Sequence, residues 1–385
     1  MSTFAGKIKD FPLISIDRFN GDNLKSKAFF LSHCHEDHMI GLRDPEFKGP
    51  LYLSPISAVF VRHNFPHITN LIEIINGVPI HIRQTVVTSF PANHCPGSVM
   101  FLIENEEKRI LYTGDFRLNL NELQRIKTLT QYCDNIDEIY LDSTFFNEDY
   151  LNFPTQEESC EAIAHLIREW TIKGQHKKIH LHTSARYGYE WLFIQINKVL
   201  NMKILVNKTE FFSYQYIPDM DETIAYDNSL NKLQIHACNK SFKNCTCNAF
   251  METDEVRTIK ISAMIWRNWK VTDLCILPDP KLKELYRVCY SNHASLAEIK
   301  ELLLFFKPKE VFLNVVPQIK YQRDVMEKLL CDIVNGYKEK HSNKGISKTG
   351  NEIKLSFSNL IESKKRRLKY DKKSSRNIKI IIRDT

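Results

Sequence analysis

The chain has 385 residues, enough to bury a sizeable core as one or two domains with a tail. Its 43% hydrophobic share is ordinary for a globular protein, and no apolar run approaches the ~20 residues of a membrane-spanning helix. The formal charge of +7 is unevenly spread: residues 336–385 hold 15 basic against 5 acidic side chains, and the other 335 hold 38 against 41. The folded part is therefore slightly acidic, and a nucleic-acid partner would be held by local patches or by the tail.

Met1 to Pro12 lacks the apolar core of a signal peptide, which makes a cytosolic or nuclear chain the expectation. The 10 cysteines are then expected as thiols or metal ligands rather than disulfides. The first third alternates short β-rich runs with turns. Leu13 to Ile16 leads into Asp17, and Ala28 to Leu31 leads into Ser32-His33-Cys34-His35-Glu36-Asp37-His38. Val86 to Phe90 leads into Asn93-His94, and Val99 to Ile103 pairs with Arg109 to Tyr112, which ends at Gly114-Asp115. Glu138 to Leu141 ends at Asp142. A ligand-type residue follows each of these strands, the layout of an active site built on loops at one sheet edge.

Thr155 to Glu158 reads as a capping box, and Ile163, Leu166, Ile167 and Trp170 form a helical stripe behind it. Ile179 to His182 (strand), Tyr187 to Leu200 (helix) and Lys203 to Val206 (strand) alternate in the manner of a second, partly parallel sheet. The pattern weakens from Asp219 to Glu255 and returns with Thr258 to Ile261 and Leu285 to Tyr290. Ser295 to Glu298 is a second capping box, opening a helix to about Phe306, and Glu310 to Val315 suits a buried strand. After Asn335 the chain turns polar, basic and aperiodic, the composition of a disordered tail.

The histidine run carries the chemistry. Alternation in an extended segment sends His33, His35 and Asp37 to one side, and His38 turns toward a second ion. Imidazole and carboxylate suit zinc, and an open zinc site holds a reactive water. His94, after a strand and within tight-turn residues, supplies another imidazole, and Asp115 supplies a carboxylate able to bridge two ions.

Asp17, the His33-to-His38 run, His94 and Asp115 resemble the successive motifs of the metallo-β-lactamase fold. Tyr140-Leu141-Asp142-Ser143-Thr144-Phe145 and Tyr290-Ser291-Asn292-His293-Ala294-Ser295 resemble the added motifs of the β-CASP nucleases, and Val315 is typical of their DNA-acting branch. The resemblance covers about residues 1 to 335. It implies an α/β fold: a metallo-β-lactamase αββα sandwich with an inserted β-CASP domain. The expected parts are 1–145, an insert over 146–284, a return over 285–335, and a basic tail over 336–385.

It further implies a zinc-dependent nuclease with one or two Zn2+ ions. His33, His35, His94 and Asp115 would hold the first, and Asp37, His38 and Asp115 a weaker second. Asp17 and Asp142 would orient histidines, His293 would contact phosphate or act as leaving-group acid, and Ser291 would help hold a phosphate. The implied substrates are DNA ends: hairpins, overhangs and single-stranded/double-stranded junctions in end joining. Endonuclease action is expected, with 5′–3′ exonuclease action beside it. The RNA-processing endonucleases of the same fold and a non-catalytic DNA-end scaffold are the alternatives. DNA-dependent protein kinase and end-joining ligase factors are the implied partners, with a nuclear location and no membrane; Lys364-Lys365-Arg366-Arg367 reads as an import signal.

This chain departs from the family in its insert. His236-x-Cys238 resembles half of a structural zinc site whose further histidine is replaced here by Leu205, and Cys245 and Cys247 would complete a four-ligand set. The family's pocket lysine is replaced near Ser184, with Arg186 close by as the substitute phosphate contact.

Overall fold

A computed structural model describes residues 1–227, 232–239, 255–342, 354–357 and 380–381. The chain folds as two compact units, Met1–Glu148 with His293–Thr385, and Asp149–Asn292. No helix among the described residues is long and apolar enough to cross a membrane.

The first unit is an αββα sandwich. A four-stranded parallel sheet runs Ile14–Ile16, Ala28–Phe30, Leu51–Leu53, Leu71–Glu73. An eight-stranded mixed sheet runs, edge to edge, Ile380–Ile381, Lys354–Phe357, Glu310–Leu313, Glu138–Leu141, Arg109–Tyr112, Val99–Glu104, Thr85–Pro91, Pro79–Ile82. Strand alternation divides the side chains of the larger sheet between two cores. Val99, Phe101 and Ile103, with Ile110, Tyr112 and Tyr140, pack with Ile14, Ile16 and Phe30 of the smaller sheet. Met100, Leu102, Leu111, Ile139 and Leu141 face the other way, onto Leu296, Ile299, Leu303 and Phe306 of the helix Leu296–Phe306. Each large apolar side chain fully buried there contributes roughly 1.5–3 kcal/mol.

Within the larger sheet, Thr85–Pro91, Arg109–Tyr112, Glu138–Leu141 and Glu310–Leu313 all run in one direction, because two antiparallel pairings are followed by two parallel ones. Their C-terminal ends therefore share one edge. His94, Asp115, Asp142 and Asn314 emerge there.

The second unit is built on a seven-stranded sheet, parallel except for its last strand, Ile276–Pro278. Arg257 is its buried brace: it pairs with Glu169 at 2.5 Å and Glu284 at 2.6 Å, between the rings of Trp170 and Tyr286. Glu190, which opens the helix Glu190–Leu200, is buried and accepts the Gly188 amide at 2.7 Å. Burial pushes its carboxyl up to about 7. A carboxyl raised in the folded state favours folding most below its unfolded value, and that advantage is lost as pH rises through the folded value. The shift from 4.5 to about 7 corresponds to about 3 kcal/mol. Glu190→Gln should therefore gain thermal stability over wild type as pH rises from about 5 to 8. A pH-independent difference between the two melting curves would contradict this.

Both capping boxes form as the sequence indicates, at Thr155/Glu158 and Ser295/Glu298. Two boundaries differ. Leu285–Val288 pairs in parallel with Val256–Ile261, so the chain returns to the first unit at His293 rather than 285. Beyond 336, where composition suggested disorder, the helix Lys320–Ser342 continues and Lys354–Phe357 extends the large sheet beside Glu310–Leu313. The helix buries Met326, Leu330, Ile333 and Val334, and the strand takes hydrogen bonds that the edge of Glu310–Leu313 would otherwise offer to water. Lys364 to Arg367 lie outside the described residues.

Candidate metal centre

His33, His35 and His38 leave the end of Ala28–Phe30 through the short turn Glu36–His38. His94 follows Thr85–Pro91, and Asp115 follows Arg109–Tyr112 through Gly114. Gly114 sits at φ +54°, and a Cβ there would come within 2.9 Å of Ser32, so glycine is what lets Asp115 turn inward. One ligand atom each from His33, His35, His94 and Asp115 lies within 4.8 Å of the others. His33 Nε2 is 3.5 Å and His94 Nε2 3.6 Å from Asp115 Oδ2, and His94 Nε2 is 2.9 Å from His35 Nδ1.

These residues fit a metal ion. Among the described residues, the buried Nε2 atoms of His33 and His38 find no hydrogen-bond partner. Nitrogen lone pairs and a carboxylate that converge at such spacing match the set preferred by a divalent cation. His38 Nε2 lies 3.3 Å from Asp115 Oδ1 and 3.9 Å from Asp37 Oδ2, which gathers the second predicted set around the same carboxylate.

Asp17 orients this cluster. Its carboxylate is buried, at φ +53°, and accepts from Ser32 N at 2.7 Å, Ser32 Oγ at 2.6 Å, Tyr112 OH at 2.8 Å and His38 Nδ1 at 2.8 Å. The last bond fixes the His38 tautomer and aims Nε2 at Asp115. Asp142 does the same for His293: Oδ2 meets Nδ1 at 2.8 Å, and Oδ1 accepts the Thr144 amide and hydroxyl. Ala294 N donates to Phe116 O at 2.8 Å and keeps His293 beside Asp115.

The electrostatics divide the histidines. Burial and the imidazoles of His293 and His33 hold His94 well below its usual pKa, leaving it neutral and ready to ligate. Burial opposes a charge on His38, but Asp115 and Asp17 outweigh it and raise the imidazole well above 6.5. Burial likewise opposes the Asp115 anion, but His38 and His293 hold it far below the usual carboxylate range. His293 is lifted to about 9, against burial, by Asp142 and Asp115.

The remaining predicted residues lie in the second unit. Arg186 stacks over Tyr187, with 5.2 Å from guanidinium to ring centroid, and donates to Ser213 Oγ at 3.0 Å. Ser291 is buried just before His293. His236 and Cys238 sit on Ile235–Cys238, where His236 Nδ1 meets Leu205 O at 3.0 Å. Cys245 and Cys247 lie outside the described residues. Sequence reading missed His180, which is in register with His236, stacked on it at 6.0 Å, and 3.4 Å from Cys238 Sγ. His180-x-His182 on a strand was the available signal. It also missed Ser32 and Tyr112, whose roles as donors to Asp17 leave no mark in sequence spacing.

At one sheet edge of the αββα sandwich, histidines and aspartates converge in groups that could hold a metal ion. A family model described as DNA repair metallo-beta-lactamase matches residues 222–319. The chain is 35% identical over 367 residues to the protein Artemis of Gallus gallus, covering 86% of this chain and 50% of that one. It is 28% identical over 302 residues to the 5′ exonuclease Apollo of Gallus gallus, covering 77% of this chain and 59% of that one. A solved protein of unknown function from Enterococcus faecalis V583 shares the fold, with a TM-score of 0.51 at 16% identity, over 74% of this chain and 75% of that one. The chain is similar to the Artemis proteins and, over residues 222–319, to the DNA repair metallo-beta-lactamase family. It spans about half the length of the Artemis relatives it matches.

Proposed function

We propose that this protein is a zinc-dependent DNA repair nuclease that hydrolyses phosphodiesters at DNA ends, opening hairpins and trimming overhangs during end joining in the nucleus. The observation that carries the reading is the convergence of His33, His35, His94 and Asp115 at one sheet edge. Similarity to Artemis and Apollo supports DNA as the substrate, and so does Val315. By the same similarity, DNA-dependent protein kinase and end-joining ligase factors are the proposed partners.

His33, His35, His94 and Asp115 would hold one ion, and His38 and Asp37 would share Asp115 with a weaker second. Bound zinc supplies a water acidified to a pKa of about 7 and charge neutralisation for the phosphate. The chain's own groups do the rest. Asp17 keeps His38 in one tautomer, and ionised Asp115 concentrates negative charge where cations must sit. Asp142 holds His293 by Nδ1, so that a proton on Nε2 can be passed to the leaving oxygen.

The test is cleavage of an end-labelled DNA hairpin, a DNA overhang and the matched RNA strands. Hairpin and overhang cutting that disappears with a chelator and returns with zinc is the expected result. Preference for RNA would replace the DNA assignment, and chelator-resistant cutting would remove the metal.

A further inference from the structure

Residues Ser2 to Phe4 reach into the candidate metal centre. Ser2 N donates to Asp37 Oδ2 at 2.8 Å, across 35 positions of sequence. Thr3 is pinned to the loop that follows Glu310–Leu313: its amide and its hydroxyl donate to Asn314 O at 2.7 and 2.9 Å, and its hydroxyl accepts from Val316 N at 3.1 Å. Phe4 is buried against the rings of Tyr112 and Tyr140, at 5.0 and 5.5 Å. Ile8 and Phe11 continue the segment into the core between the sheets.

Asp37 needs such help. It lies on the short turn Glu36–His38, its side chain is 26% exposed, and its oxygen is 3.9 Å from His38. A carboxylate on a turn facing water has several rotamers to choose from. A backbone amide donating to it makes a charge-assisted bond that selects one. The strap is also linked to the other side of the site. Val315, between the two residues that hold Thr3, exchanges two 2.8 Å bonds with Ser143 Oγ, next to Asp142.

We propose that Met1–Phe4 is a positioning strap, in which the Ser2 amide sets Asp37 for the second cation and Thr3 and Phe4 hold that amide in place. The proposal rests on the metallohydrolase reading above. It assigns a functional role to a backbone N–H, which no side-chain motif records. It also predicts that chemical changes to this segment act on the weaker ion and leave the first alone.

Calorimetric titration of the metal-stripped 385-residue chain with Zn2+ tests it. Wild type should show two binding steps. Ser2→Pro, which lacks the N–H, should weaken the second step about 10-fold or more and leave the first unchanged, since loss of a partner behind a ligand typically costs 10–100-fold in metal affinity. Thr3→Val, which loosens the anchor, should move it in the same direction, and Ser2→Ala, which keeps the amide and loses only the 3.4 Å bond from Phe4 N to Ser2 Oγ, should weaken it less than Ser2→Pro. Melting curves identify any variant that is merely unfolded; Thr3→Val then carries the test. A normal second step in folded Ser2→Pro and Thr3→Val overturns the strap, and so does a wild type that takes only one ion. A wild type that binds no ion overturns the metallohydrolase reading itself, and the strap with it.

Discussion

Asp115→Asn is expected to lower hairpin hydrolysis about 10³-fold or more while the protein stays folded. Asp115 faces His33, His38 and His94 at 3.5, 3.3 and 3.6 Å, and among the described residues is the one carboxylate addressed by all three. It also leads Asp17 in raising the His38 imidazole, and joins Asp142 in raising that of His293, against the pull of burial. Asparagine preserves its volume but removes the charge and places an amide donor among nitrogens that need an electrophile. Metal content and turnover should fall together, with the melting temperature changed little. A variant that cuts within tenfold of wild type would show that the carboxylate is not part of the chemistry.

The second large effect concerns proton delivery. His293→Ala should reduce turnover by about 10²–10⁴-fold, the usual contribution of a positioned acid, and leave the first ion bound. Asp142→Asn should reproduce part of that loss, because it weakens the 2.8 Å bond that fixes the His293 ring. The division between parameters is the informative readout. A leaving-group acid moves kcat, whereas a phosphate contact raises KM with kcat preserved. A pure KM effect would reassign His293 to substrate holding. Both variants should keep their fold, since the hydrophobic cores on either face of the larger sheet do not use these side chains.

The histidines and aspartates that converge in the first unit were legible because their chemistry is concentrated: three histidines and an aspartate within six positions, then His94 and Asp115 each just after an apolar run. Arg109–Tyr112 and Glu138–Leu141 match their sequence boundaries for the same reason, as short alternating runs ended by turn residues. What sequence did not disclose depends on tertiary geometry. Leu51–Leu53 and Leu71–Glu73 have three residues each, too few for a periodic signal, and are strands only because the neighbouring strand pairs with them. The helix Lys208–Tyr214 is capped by Asn207, whose side chain accepts the Glu210 amide, and its seven residues are too few for a helical period to show. Tyr112, Ser32 and Ser2 contribute through partners 95, 15 and 35 positions away. Such distances cannot be read from local spacing.

His33, His35, His94 and Asp115 are proposed to hold the catalytic ion. The most direct measurement is the zinc content of purified wild type and of His33→Ala/His94→Ala, each followed by hairpin cleavage in the same preparation. At least one equivalent of zinc in wild type, with both metal and cleavage lost in the double variant, is the predicted result. Equal cleavage by a double variant that carries no metal would contradict it.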